Sequence, residues 1–209
     1  MFEEKIVLSD SIKISDILLK SLLLFLTFFA FVSNRWLWFF FGIFMFIISL
    51  VPNLVKKILN INIQGFLILM IDLALIFHLY DCLTDISAFF PIYNKFTHFF
   101  SSFIVAYIVF ILLMVHYRKQ NNISRFKLVF DIIVITVSLG VLWEFLEWGA
   151  DIHLSMFNQP SLNDTMSDLL ADSAAGLLMS GVALIIFKSK KFKKHVHRVA
   201  KQIEVLISS

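Results

Sequence analysis

The sequence predicts an all-α, polytopic membrane protein, a bundle of about six transmembrane helices. Of its 209 residues, 59% are hydrophobic and only 16% are charged, and the mean hydropathy is +0.87. Globular proteins average roughly 45–50% apolar and about 25% charged residues. The apolar runs are also continuous, whereas the strands of a membrane barrel alternate apolar and polar positions. The composition therefore excludes an ordinary soluble domain, and a single cysteine, Cys82, excludes a disulfide framework.

Six segments are long enough and apolar enough to be predicted as membrane spans. A helix needs about 20 apolar residues to cross a hydrocarbon core of roughly 30 Å. The predicted spans are 17–33, 36–51, 63–80, 96–117, 128–149 and 166–187. We expect residues 1–187 to form a single transmembrane domain. No cleavable signal peptide is predicted, so we expect the first span to remain as a signal anchor.

The distribution of Lys and Arg predicts the orientation of these spans. If successive loops alternate between compartments, sixteen of the eighteen basic residues lie on one side of the membrane. They are in the amino terminus, the 52–62 loop, the 118–127 loop and the tail, and only Arg35 and Lys95 lie on the other side. Both termini are therefore predicted to be cytoplasmic.

Residues 188–209 are predicted to form a basic amphipathic helix. Apolar residues spaced by four, three, four and three positions form one stripe along it: Phe192, Val196, Val199, Ile203 and Leu206. Such a helix can bind anionic lipids of the cytoplasmic leaflet, with about 1 kcal/mol from each basic residue near the surface. The alternative is a topogenic anchor without further function. The expected partners are thus the lipid bilayer and anionic lipids, with no nucleic acid, and the oligomeric state stays open.

Acidic and histidine side chains gather at the span ends that are predicted to face outward. They are His78, Asp81, Asp85, His98, Glu144, Glu147, Asp151, His153, Asp164, Asp168 and Asp172. An ionisable group inside a bilayer costs at least roughly 2.5–3.5 kcal/mol, so it is retained mostly where it pairs or has a function. This convergence predicts a polar site on the outward side.

Helical periodicity places members of this set on shared faces. The groups are Asp164, Asp168 and Asp172 on the sixth span, Glu144 and Glu147 on the fifth, His98, Ser101 and Ser102 on the fourth, and His78 and Asp81 on the third. Asp172 lies about 12 Å along its helix from Asp164, which is too deep for a capping residue. A structural alternative for Asp172 is an ion pair with His98.

Helix capping is the structural alternative at the start of the sixth span. Thr165 with Asp168 three residues later matches a capping box, and Asp164 is a typical N-cap residue. Asp72, near the middle of the third span, has two interpretations of equal weight. It is either a proton-relay residue or a residue paired within the bundle.

Several carboxylates with one imidazole form a donor set that suits Mg, Mn, Ca or Zn. The predicted metal ligands are Glu144, Glu147, Asp168 and Asp172. A bound metal would offset the mutual repulsion of these carboxylates, polarise a phosphoryl oxygen or activate a water molecule. The cofactor prediction is therefore a divalent metal.

The predicted catalytic residues lie on the fourth span. His98, with Ser101 beside it, is the candidate acid, base or ligand, and Lys95 would attract an anionic headgroup. We expect a metal-dependent hydrolase or transferase acting on a lipid or lipid-linked phosphate. One alternative is a cation- or proton-coupled carrier, in which Asp72 gives the pathway a second step. A non-catalytic membrane scaffold or resistance protein is the other alternative.

Three segments carry a family resemblance. They are Tyr93-Asn-Lys-Phe-Thr-His98-Phe-Phe, Trp143-Glu-Phe-Leu-Glu-Trp148, and Asn163-Asp-Thr-Met-Ser-Asp168 followed by Asp172 and Gly176. These motifs resemble the YjdF-type family of bacterial inner-membrane proteins over the last four spans, and more distantly the VanZ-like membrane proteins associated with glycopeptide-antibiotic resistance.

The resemblance implies a six-span bundle in the inner membrane, but it implies no established activity. The positions that it singles out are Lys95, His98, Glu144, Glu147, Asp164, Thr165 and Asp168. The sequence departs from the family pattern at Thr97, where a glycine or another small residue is expected before the histidine.

Overall fold

A computed structural model describes residues 2–61, 63–117, 124–156 and 158–208, and every regular element in these ranges is helical. The helices are α1 Phe2–Val32, α2 Trp36–Ile58, α3 Gly65–Thr84, α4 Ile86–Phe89, α5 Pro91–His116, α6 Arg125–Leu154, α7 Leu162–Ile186 and α8 Lys190–Ser208. Two basic residues of the 118–127 loop, Arg118 and Lys119, lie outside the described residues. The side chain of Leu206 lies outside them as well.

Six helices within the described ranges are long and apolar enough to cross a membrane, which confirms the predicted fold class. They are Asp10–Val32, Trp36–Ile58, Gly65–Thr84, Pro91–His116, Arg125–Leu154 and Leu162–Ile186. Several begin earlier or end later than the predicted apolar runs. The fourth begins at Pro91 because proline is well tolerated in the first helical position.

The chain divides into two compact units, Met1–Pro91 with Gln202–Ser209, and Ile92–Lys201. In the first unit, α1, α2 and α3 pack against one another. Their shared core contains Leu23, Met45 and Leu79. Helices α1 and α2 approach closely where Gly42 faces Thr27, since a Cβ atom at Gly42 would overlap the threonine hydroxyl.

Arg35, in the turn between α1 and α2, holds the carboxyl end of α3. Its guanidinium donates to the backbone carbonyls of Leu83 and Cys82, and Nη2 lies 3.0 Å from Asp85 Oδ2. The last carbonyls of a helix have no partner within the helix, so an external donor stabilises them. Arg35 therefore acts as a capping residue for α3.

Replacing Arg35 with methionine should lower the free energy of unfolding by about 1–3 kcal/mol, because two part-buried carbonyls lose a charged donor. Thermal unfolding in detergent, followed by circular dichroism, measures this effect. Asp85→Asn is the matched control, since the Asp85 side chain is 61% exposed and an exposed ion pair contributes little. Equal midpoint changes in both variants would contradict the capping role.

The second unit is built on α6 and α7, which pack closely along their length. Helix α8 adds part of its apolar stripe to the core of this unit. Phe192 and Val196 are buried there with Met179, and the ring of Phe192 stacks on Phe110 at a centroid distance of 4.9 Å. These two stripe residues are therefore covered by protein. Binding of the tail to anionic lipids stays a prediction, as does the division into a domain at 1–187 and a tail at 188–209.

Candidate metal centre

Side chains from α5, α6 and α7 meet around the ring of His98 within the second unit. Its Nδ1 atom lies 3.6 Å from Asp172 Oδ1 and 3.9 Å from Glu144 Oε1, and its Nε2 atom lies 3.8 Å from Asp168 Oδ1. All four side chains are buried. These distances exceed the normal range of a hydrogen bond. One imidazole is thus surrounded by three buried carboxylates without a short contact to any of them.

Two of the carboxylate oxygens that face His98 accept no hydrogen bond within the described residues. They are Glu144 Oε1, which has no partner there, and Asp168 Oδ1, which has only an ion pair with Lys95 at 2.9 Å; both are buried. His98, Glu144 and Asp168 each offer one ligand atom, and the three atoms lie within 4.8 Å of one another. Buried acceptors are almost always satisfied, so unpaired ones call for an explanation. A cation between these atoms would satisfy both oxygens.

Neighbouring side chains hold the second oxygen of Glu144 and the Asp172 oxygen that faces His98. Gln159 Nε2 donates to Glu144 Oε2 at 2.6 Å, and Ser102 Oγ donates to Asp172 Oδ1 at 2.6 Å. These hydrogen bonds fix the orientation of the two carboxylates. Such partners commonly orient metal ligands.

Lys95 provides the positive charge beside the site. Its Nζ atom lies 2.9 Å from Asp168 Oδ1 and donates to Oδ2 at the same distance, and it also pairs with the side chain of Asp164. The site has five carboxylates and two cationic side chains. The carboxylates are those of Glu144, Glu147, Asp164, Asp168 and Asp172, and the cationic side chains are Lys95 and His98. With all five carboxylates ionised, the formal charge of the site is negative even when His98 is protonated.

Asp172 fits into the site because α6 has a glycine opposite it. A Cβ atom at Gly140 would overlap Asp172 Oδ2, which is buried and accepts no hydrogen bond in the described part of the chain. Gly176 of α7 faces Thr136 of α6 in the same way but with ordinary contact distances. Helices that pack through small residues can bring their backbones close together.

The connection between α6 and α7 is anchored by Asp151. Its two oxygens accept the backbone N–H groups of Asn158 and Gln159, each at 2.8 Å. Gln159 then reaches back to Glu144, both to its carboxylate and to its backbone carbonyl. Sequence reasoning missed Gln159, and no spacing rule relates it to Glu144.

The predicted capping roles at the start of α7 are wrong. The helix begins at Leu162, and its N-cap is Ser161, whose hydroxyl accepts the backbone N–H of Asp164 at 3.2 Å. Asp164 is therefore the third helical residue and not the N-cap, and Thr165 with Asp168 does not form a capping box. The helix starts four residues earlier than the predicted span because Ser161 has the extended backbone of a capping residue.

Glu147 and Ser101 are less central than the sequence predicted. Glu147 is buried, but its Oε1 atom accepts a hydrogen bond from Trp143 Nε1 at 2.8 Å, and it is not part of the three-residue group. The i, i+4 spacing of Trp143 and Glu147 could have suggested this contact. Ser102, and not Ser101, is the serine that contacts an aspartate, because His98 and Ser102 are four residues apart on one face.

Three other predicted residues belong to the first unit. Asp81 accepts the backbone N–H of Ser87 at 2.9 Å, next to α4, and the ring of His78 lies 5.9 Å from that of Phe41. Asp72 forms an ion pair with Lys20 at 2.7 Å. This contact agrees with the interpretation of Asp72 as a residue paired within the bundle.

One family model matches most of the chain. Its description is "Predicted membrane protein (DUF2238)", and the match covers residues 15–189. This range contains every residue of the candidate metal centre. No curated protein and no solved structure matches the chain.

Proposed function

We propose that this chain, which belongs to the DUF2238 family of predicted membrane proteins, binds a divalent cation through His98, Glu144 and Asp168. The observation that carries the proposal is a pair of buried oxygens that face the His98 ring. Glu144 Oε1 has no partner among the described residues, and Asp168 Oδ1 has only its ion pair with Lys95 there. One imidazole and two carboxylates are donors that zinc and manganese accept readily, and carboxylates also suit magnesium and calcium.

The reaction that we propose is hydrolysis or transfer at a lipid or lipid-linked phosphate. Three protein ligands leave a metal position open for water or a substrate oxygen, as in catalytic zinc sites. When bound, the metal would polarise a phosphoryl oxygen or activate a water molecule. Asp172, which Ser102 holds beside His98, would serve as the proton acceptor of this site.

The position of the site favours a lipid-borne substrate. Glu144 and Glu147 lie on α6 among large apolar residues that are more than half exposed, namely Phe145, Leu146 and Trp148. In a membrane-spanning helix, such side chains contact the acyl chains or the headgroup region. Lys95 would attract an anionic phosphate while it holds Asp168 in place.

We also propose an orientation, a family group and lipid partners for this protein. The basic residues favour cytoplasmic termini, and the three motifs favour the YjdF-type group within a bacterial inner membrane. The exposed basic face of α8, which includes Lys190, Lys194 and Arg198, favours anionic lipids as partners.

Metal content measured by mass spectrometry on purified protein tests the binding site. We expect about one divalent ion per chain in the wild type and at least a tenfold lower content in Glu144→Gln and Asp168→Asn, because each variant removes a charged ligand. Glu147→Gln is the matched control, since Glu147 is a buried carboxylate of the same helix outside the three-residue group. Its metal content should equal that of the wild type.

Two outcomes would overturn the metal site. One is a wild-type protein without bound metal after incubation with Zn²⁺, Mn²⁺, Mg²⁺ and Ca²⁺ in turn. The other is equal metal content in all four proteins. If the site binds metal, release of phosphate from phosphatidic acid and from a polyprenyl diphosphate in mixed micelles then tests the proposed reaction, with Asp168→Asn as the inactive control.

A further inference from the structure

The first unit contains a second buried polar group, formed by side chains of α1, α2 and α3. Lys20 Nζ lies 2.7 Å from Asp72 Oδ2 and also pairs with Asp16 Oδ1. Asn53 Nδ2 donates to Asp16 Oδ2 at 3.1 Å. Asp72 and Lys20 are buried, and Asp16 is partly exposed. We call these four residues the Asp72 group.

The Asp72 group has one oxygen without a partner. Both oxygens of Asp16 and the Oδ2 atom of Asp72 are paired, whereas Asp72 Oδ1 is buried and accepts no hydrogen bond from any described residue. The group also has two carboxylates and a single ammonium, which leaves one uncompensated negative charge. Burying such a charge is costly unless a further ligand neutralises it.

The geometry points to a proton, and not to a metal ion, as that ligand. A hard cation requires several oxygen ligands, whereas a proton requires one acceptor. Only one carboxylate oxygen of the Asp72 group is free, and the described residues place no three-residue metal-binding group here. Among the described residues, the charged groups that act on Asp72 are Lys20 and Asp16 of α1, and α2 contributes the neutral amide of Asn53, which donates to Asp16.

We propose that Asp72 is a proton-binding site within the membrane-spanning region, separate from the metal centre. A proton from water adds to Asp72 Oδ1, and the net charge of the group changes from −1 to zero. Lys20 and Asp16 then remain as a neutral ion pair. Asp16, which is the more exposed carboxylate, gives the group its contact with the aqueous side, so the proton exchanges through it.

Infrared difference spectroscopy across a pH step, on protein in lipid nanodiscs, tests this proposal. The wild type should show a carboxylic-acid C=O band that is replaced by carboxylate bands as the pH rises. In Asp72→Asn, the signal of one carboxyl group should be lost, while the circular dichroism spectrum stays helical. Asp16→Asn keeps Asp72 but removes the second carboxylate of the group, so the band should remain and should be lost at a lower pH than in the wild type.

A second variant keeps the test decisive if Asp72→Asn does not fold. Asp72→Glu retains a carboxyl group, so the band should remain but move in frequency. Identical difference bands in the wild type and the folded Asp72 variants would overturn the proposal. A wild type without any band that depends on residue 72 would overturn it as well.

Discussion

Alanine at Gly140 is expected to displace the Asp172 carboxylate and to lower the free energy of unfolding by about 1–3 kcal/mol, as overpacking of a filled interior does. The added Cβ would overlap Asp172 Oδ2 and lie 3.0 Å from the carboxyl carbon. The aspartate cannot easily move away, because Ser102 holds its other oxygen and the side chain is 2% exposed. Metal content should fall with stability, since Asp172 adjoins His98.

The chain offers a matched control on the same helix. A Cβ at Gly149 would meet no atom within 4 Å, so Gly149→Ala should leave stability unchanged or raise it by up to about 1 kcal/mol, as alanine does in an open helical position. Thermal unfolding midpoints in detergent distinguish the two variants. If Gly140→Ala were as stable as Gly149→Ala, the close packing of α6 against Asp172 would be refuted.

Methionine at Lys95 is expected to destabilise the metal-free protein by about 2–4 kcal/mol. Lys95 is the cation closest to Asp168, whose side chain is 1% exposed, and removing one partner leaves a buried carboxylate uncompensated. Methionine keeps much of the apolar length of the lysine side chain, so the loss of charge dominates. Unfolding midpoints measured after treatment with a chelator give the size of the effect.

Divalent cations should partly restore the Lys95→Met protein. A metal held by His98, Glu144 and Asp168 replaces the missing positive charge, and a ligand that binds only the folded state raises its stability. The midpoint of the variant should therefore rise more on addition of Mn²⁺ or Zn²⁺ than that of the wild type. Failure of every divalent cation to raise it would argue against a metal beside Asp168.

Lys127→Met is the control, because it removes a lysine that is exposed instead of one that neutralises a buried carboxylate. Lys127 pairs with Asp131 one helical turn away at 2.8 Å, and the lysine side chain is 53% exposed. The Asp131 side chain is 18% exposed, but it keeps the Tyr117 hydroxyl as a donor when the lysine is removed, and a pair with an exposed lysine adds little to stability. We expect its midpoint to stay close to that of the wild type, with and without divalent cations.

Much of the candidate metal centre could be predicted from helical periodicity. Asp168 and Asp172 are four residues apart, so they share one face of α7 wherever that helix packs. His98 and Glu144 could be proposed as neighbours only because both lie near span ends that are predicted to face the outward side of the membrane. The distances between them depend on how α5, α6 and α7 pack, which periodicity does not specify.

The residue that caps α7 could not be predicted, because several neighbouring residues are suited to that position. Four residues near the start of α7 are of types that can cap a helix: Ser161, Asn163, Asp164 and Thr165. Ser161 is the cap because its backbone is extended where the chain enters the helix. The missing side chain of Gly140 leaves the space that Asp172 occupies, and only the packing of α6 against α7 shows this.

The sequence by itself determined that this chain is helical and membrane-spanning, because the length and apolarity of a segment are local properties that the bilayer constrains directly. It also identified the ionisable residues whose burial would be costly. Tertiary structure alone decided which buried carboxylate oxygens in the described part of the chain accept no hydrogen bond; they belong to Glu144, Asp168, Asp172 and Asp72. The physical reason is that hydrogen bonding depends on differences of a few tenths of an ångström between residues far apart in the chain.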